Sequence, residues 1–98
     1  MTIIKKTFVF KKWFNKLNKN VSDELNINIT RVAYGNFSNC QSVGGGVHEL
    51  KINYQKGYRI YFANIDGEII LLLIGGDKKT QDKDIKKAKK LKEFYVEK

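Results

Sequence analysis

Apolar and polar positions change period along this chain, and the changes mark out its elements. After Thr7, a hydroxyl residue suited to capping a first turn, Phe10, Trp13, Phe14 and Leu17 recur at helical spacing. That stripe makes a buried face rather than a platform for stacking bases. Asn18-Lys19-Asn20 interrupts it. Leu25, Ile27 and Ile29 then alternate with Asn26 and Asn28, as in a strand, yet Ser22-Asp23-Glu24 looks like a helix start. Leu25, Ile29 and Val32 lie at i, i+4 and i+7, and Gly35-Asn36 supplies a stop, so the segment is read as a second helix. Gly35 to Gly46 reads as a polar connection. Its Gly44-Gly45-Gly46 run is no phosphate loop, because a strand pattern follows it and no GK[ST] is present.

From Gly46 onward the period is two. His48, Leu50, Ile52 and Tyr54 alternate with Glu49, Lys51 and Asn53; Tyr58, Ile60 and Phe62 alternate with Arg59, Tyr61 and Ala63. Keeping Leu50 and Ile52 on one face with Ile60 and Phe62 predicts a three-residue loop, Gln55-Lys56-Gly57, which pairs Tyr54 with Tyr58, Asn53 with Arg59 and Lys51 with Tyr61. Asp66-Gly67 predicts a two-residue turn pairing Ile65 with Glu68, and hence Arg59 with Ile74. Ile69 to Ile74 is apolar on both faces, as in a central strand covered on both sides, and Gly75-Gly76 ends it. Thr80 is expected to cap a last helix with Asp82 and Asp84 in its first turn and an apolar face of Ile85, Ala88, Leu91 and Tyr95. Its lysines read as a solvated outer surface. The expected fold class is α+β, with two N-terminal helices, an antiparallel β-meander and a C-terminal helix forming one domain over residues 1–98.

Charge changes the picture next. The net charge is +9, with six lysines and no acid from Lys5 to Lys19, and eight lysines against Asp82 and Asp84 from Lys78 to Lys92. Such clusters suit an anionic partner, nucleic acid or an acidic protein segment. Cys40 is the only cysteine, so there is no disulfide framework, and no spacing suggests zinc or another metal. Lysines interrupt the apolar N-terminus, which does not read as a signal peptide. The longest apolar run, Ile69 to Ile74, is far too short for a membrane span. A cytoplasmic protein needing no cofactor is expected.

On the predicted register Lys51 and Arg59 are diagonal neighbours on one face, roughly 7–8 Å apart, and can bracket one phosphate. The Gly75–Lys79 loop emerges at the same end of the sheet, so Lys78 and Lys79 can converge there. Glu49 is the carboxylate on this face, placed to act as a base or to anchor a cation. Tyr61 can stack a base or steady a lysine, and Lys56 and Gln81 are further candidate nucleic-acid contacts. His48 has the parity of Leu50 and Ile52 and reads as a core or edge histidine. Nothing matches a Ser/His/Asp or Cys/His triad or a paired-carboxylate hydrolase. Any catalysis on a phosphodiester would work by electrostatics and orientation.

Read in order, Trp13-Phe14 with Leu17, Gly35-Asn36, Gly46-Val47 with Glu49 to Ile52, Gly57 to Tyr61, Leu72-Leu73 with Gly75 to Lys78, Gln81, and Asp84-Ile85 with Ala88 resemble the RelE/ParE superfamily of bacterial toxins from type II toxin–antitoxin pairs. The addiction-module killer, HigB-like branch is the nearest in pattern, and the resemblance covers nearly the whole chain. It implies a microbial ribonuclease-like fold and, for RelE-like members, cleavage of mRNA on the ribosome, with arrest of translation and growth. It also implies a cognate antitoxin, expected to be a helix-turn-helix protein from an adjacent gene, with operator DNA bound only through the complex. By position, the second-strand lysine falls on Lys51, the arginine of the Gly-Tyr-Arg motif on Arg59, and the basic residue after the last strand on Lys78 or Lys79. Two positions depart: Glu49 stands where a lysine is common, and no tyrosine or histidine lies near Ile85 to serve as the acid. ParE-like inhibition of DNA gyrase by binding, or a non-catalytic nucleic-acid-binding role, are the alternatives.

Overall fold

The computed structural model describes residues 2–96. A five-stranded sheet runs in the order β1-β5-β4-β3-β2. The chain begins with β1 (Ile3–Lys6), then α1 (Phe8–Phe14) and α2 (Lys19–Ala33). Four antiparallel strands follow: β2 (Cys40–Gly44), β3 (Val47–Ile52), β4 (Tyr58–Ile65) and β5 (Ile69–Asp77). A 3-10 turn (Lys78–Thr80) leads into α3 (Gln81–Val96). The α+β class and the helix–meander–helix order hold. Two edge strands are additions: β1, which pairs in parallel with β5, and β2, which lies within the stretch expected to be a loop.

Thr7 ties the first elements together. Its hydroxyl accepts from Phe10 N–H at 3.0 Å, capping α1, and donates to the Leu73 carbonyl at 2.6 Å. Phe10 is fully buried, with Trp13, Phe14 and Leu17 packed partly around it, as the helical stripe predicts. Helix α2 starts earlier than expected, because Asn18 rather than Ser22 is the cap and accepts from Val21 N–H at 3.1 Å. Leu25, Ile29 and Val32 are buried while Ile27 is exposed, so the helical period prevails over the alternation. It ends in a Schellman motif, Asn36 N–H to Arg31 O and Gly35 N–H to Val32 O, with Gly35 at φ +93°.

The parity of β3 and β4 is as predicted, but the register is shifted by two. Ile52 pairs with Tyr58 and Lys51 with Arg59, leaving a five-residue connection, Asn53 to Gly57. After the Asp66-Gly67 turn, where both residues have positive φ, Ile65 pairs with Ile69, and a bulge at Leu73 then brings Arg59 opposite Gly76. Strand β5 therefore runs through the glycine pair to Asp77 instead of ending before it. One face of the sheet packs on α1 and α2, the other on α3. Ile85, Ala88 and Leu91 of α3 join the second cluster, whereas Tyr95 is exposed and meets Phe94 edge-on. Asp77, not Thr80, caps the turn before α3, accepting from Lys79 N–H at 2.9 Å. Among the described residues no helix is long and apolar enough to cross a membrane.

Candidate functional site

The face expected to be solvated is covered by α3. Glu49 is 2 % exposed, Arg59 7 % and Tyr61 0 %. Strand alternation points all three the same way, and Gln81 at the start of α3 comes down on them. Glu49 Oε2 accepts from Tyr61 Oη at 3.1 Å and from Gln81 Nε2 at 3.0 Å, and it lies 3.5 Å from Arg59 Nε. Burial, the neighbouring Glu49 charge and the hydrogen bond to it push the Tyr61 phenol well above its ordinary range. Tyr61 is thus a neutral donor inside the core, and its ring is not available to stack a base. Glu49 is likewise spent on three neighbours, a geometry suited to holding Arg59 and not to taking a proton from solvent.

Arg59 is the pivot of this cluster. Its Nε is buried and makes no hydrogen bond, with the Glu49 carboxylate 3.5 Å away as its counter-ion. A buried cation is costly unless an anion balances it, and Glu49 does so here. It stands at the junction of two clefts. One, of about 360 Å³, is lined by Lys51, Asn53, Lys56 and Lys78. The other, of about 330 Å³, is lined by Asn39, Gln41, Glu49, Lys51 and Gln81. Lys51 is exposed directly across the sheet from Arg59, closer than the diagonal placement predicted. Lys78 reaches the same cleft, while Lys79 is exposed and lines neither. Lys56 lines the cleft but is held by Asp77 at 3.4 Å and lies over the Tyr58 ring.

Two residues escaped the sequence reading. Gly76 faces α3 so closely that a Cβ there would overlap the Asp84 carboxylate and Thr80, just as one on Gly75 would overlap Trp13. Asp84 is buried and accepts from Thr80 Oγ1 at 2.5 Å. Burial raises its pKa, against the lowering effects of Thr80 and Lys83. The doubled glycine was the signal available: it marks where the strand must accept a helix on one face and an indole on the other. His48 stacks on Phe62 at 5.4 Å, on the face shared with Leu50 as predicted, away from Arg59. Cys40 is a free thiol half-sheltered on β2, pushed up to about 11 by burial. No group of three or more metal-ligating side chains occurs among the described residues.

A curved antiparallel sheet with a parallel N-terminal strand, two helices on one face and a terminal helix on the other is the RelE-like fold. The chain superposes on E. coli toxin RelE, in a mutant solved in the free state, with TM-score 0.68 at 16 % identity, over 87 % of this chain and 95 % of that one. It matches a chain of the intact E. coli RelBE toxin–antitoxin complex with TM-score 0.66 at 18 % identity, over 79 % and 96 %. The chain belongs to the phage derived protein Gp49-like (DUF891) family, which it matches over residues 12–93. An uncharacterized protein of Haemophilus influenzae is 48 % identical over 93 residues, 93 % of this chain and 94 % of that one.

Proposed function

We propose that this protein is the toxin of a toxin–antitoxin pair, an endoribonuclease that cuts mRNA on the ribosome and is silenced by a cognate antitoxin. The observation that carries the reading is Arg59: a buried guanidinium, held beside Glu49, that lines one cleft together with Lys51 and Lys78. The RelE-like fold supports it, as do its structural neighbours, E. coli RelE solved in the free state and in the RelBE toxin–antitoxin complex.

In this reading the RNA phosphate sits between Arg59 and Lys51. The 2′-oxygen attacks the adjacent phosphorus, forming the P–O2′ bond while P–O5′ breaks, and leaves a 2′,3′-cyclic phosphate and a 5′-hydroxyl. The 2′-hydroxyl proton passes to water, a loss that the exposed Lys51 ammonium promotes by meeting the charge left on the 2′-oxygen, and Lys78 supplies a proton to the departing 5′-oxygen. Arg59 meets the charge that develops on the non-bridging oxygens, where a fixed donor in a dry site is most effective. Glu49 is a positioning residue: with Tyr61 and Gln81 it holds Arg59 in place. Lys79 has no role here.

The experiment is incubation of the purified protein with ribosomes paused on a defined message. Cuts bearing cyclic-phosphate ends, lost in Lys51→Ala, are expected. A message left whole would reject the ribonuclease reading and favour binding to a protein target such as gyrase.

A further inference from the structure

The α3 lysines are not a uniform solvated surface; their placement is more specific. A groove of about 630 Å³ runs between α1 and α3. Trp13, Leu17, Ile74 and Gly75 line its apolar part. Lys12 and Lys16 stand on one bank, Lys83 and Lys87 on the other. Beyond Lys83 and Lys87 a second depression, about 520 Å³, is edged also by Lys86 and Lys90. At its opposite end the groove shares Lys56 and Tyr58 with the cleft of Lys51, Arg59 and Lys78. Two lysine clusters remote in sequence thus face each other across one groove that opens on the candidate site.

Folding does not account for this crowding. None of Lys12, Lys16, Lys83 and Lys87 in the groove, nor Lys86 and Lys90 beside it, forms a salt bridge among the described residues, and the like-charge pairs Lys83/Lys87 and Lys86/Lys90 at i, i+4 oppose the helix. Of the two acids of the groove, Asp77 is engaged by Lys56, and Asp84, bonded to Thr80, lies close enough to Lys83 and Lys87 to feel their charge, which leaves Lys12 and Lys16 with no acid across from them. Lys83 with Lys87, and Lys86 with Lys90, are each about 6 Å apart along the helix axis, close to the spacing of successive phosphates on a strand.

We propose that the α1–α3 groove is a second nucleic-acid contact, a track for the phosphate backbone of the RNA strand as it leaves the Arg59 cleft. This rests on the ribonuclease reading. An acidic protein segment would also meet lysines over an apolar floor. Six lysines without a salt bridge among the described residues, continuous with the cleft through Lys56, favour the denser polyanion.

The test uses the full chain and uncleavable 2′-O-methyl oligouridylates of about 4 and about 12 nucleotides, with affinity read by fluorescence anisotropy across a salt series. Each phosphate contact on a single strand contributes about −0.7 to the slope of log K against log salt. Converting Lys12, Lys16, Lys83 and Lys87 to glutamine should therefore flatten the 12-mer slope by about 3, and the 12-mer should then bind no better than the 4-mer. The charge-matched control converts Lys5, Lys11, Lys19 and Arg31 to glutamine, which lie outside the groove. The inference is overturned if the groove variant keeps the advantage of length, if wild type has none, or if the control loses as much. It is overturned also if an oligoglutamate of equal charge competes as well as the 12-mer, which would assign the groove to a protein segment. Arg59→Ala measured with the 4-mer reports on the parent reading alone: indifference there counts against the cleavage site and leaves the groove result standing.

Discussion

Replacing Glu49 by alanine tests whether a buried charge cluster, and not apolar contact alone, joins the sheet to α3. Glu49 Oε2 receives hydrogen bonds at 3.1 and 3.0 Å and faces Arg59 Nε at 3.5 Å, with Glu49, Tyr61 and Arg59 all buried. Alanine would leave Arg59 as a buried cation without its counter-ion, which costs about 3–5 kcal/mol. It would also strand the Tyr61 hydroxyl, at about 1–3 kcal/mol. The two effects share one oxygen and do not add in full, so a loss of about 4–6 kcal/mol is expected. That is comparable with the whole stability of a small domain, about 5–15 kcal/mol. Glu49→Gln keeps an acceptor of the same shape and should lose less. Replacing Glu49 and Arg59 together by methionine removes both charges and should recover most of the deficit. Urea denaturation followed by the fluorescence of Trp13, the only tryptophan, reads all three. A loss below about 1 kcal/mol for Glu49→Ala, the level of an exposed ion pair, would refute the reasoning. So would a double variant no more stable than the single one.

Thr7→Ala removes both the α1 cap and the donor to the Leu73 carbonyl at the bulge. A loss of about 2–4 kcal/mol is expected in the same denaturation assay, against a few tenths if the residue merely fills space. Asp84 supplies a pH test. Its pKa is raised above the ordinary 3.8 by burial, so the folded state holds the proton more tightly than the unfolded one. Its contribution is then fully present below the unfolded value and is lost as pH rises through the folded value. The stability of Asp84→Asn relative to wild type should therefore increase between acid and neutral pH. A difference that is flat, or that shrinks, would show that the carboxyl is not penalised by burial.

Much of the fold was legible because period survives in the sequence. The Thr7 cap, the Phe10–Leu17 stripe and the Leu25/Ile29/Val32 face each carry their own local signal. What escaped depends on contacts made far away. Strand β1 is four residues of isoleucine and lysine, and its pairing with Ile69 to Leu72 leaves no trace in local pattern. Strand β2, Cys-Gln-Ser-Val-Gly, is an edge strand with a bulge and no apolar alternation. The register slipped because alternation settles parity but not loop length: connections of three and five residues put Leu50, Ile52, Ile60 and Phe62 on the same face. For the candidate site, parity was enough to gather Glu49, Lys51, Arg59 and Tyr61 on one side. It could not show that α3 would cover that side, which buries Glu49 and Tyr61 and leaves the Tyr61 hydroxyl bonded to the Glu49 carboxylate.

The proposed function stands or falls on Arg59. Wild type, Arg59→Lys and, as a charge control on an exposed site, Lys19→Ala should be induced in bacteria without an antitoxin. Growth, message integrity and DNA-damage signalling are followed together, with soluble, folded protein verified for each. Because a lysine point charge cannot hold two phosphate oxygens as the guanidinium fork does, Arg59→Lys should lose about 10²–10³ in cleavage rate. Wild type and Lys19→Ala should arrest growth with messages cut and no damage response. Equal toxicity of wild type and Arg59→Lys, with messages whole and the damage response raised, would contradict the phosphate-site account and point to a gyrase-like protein target.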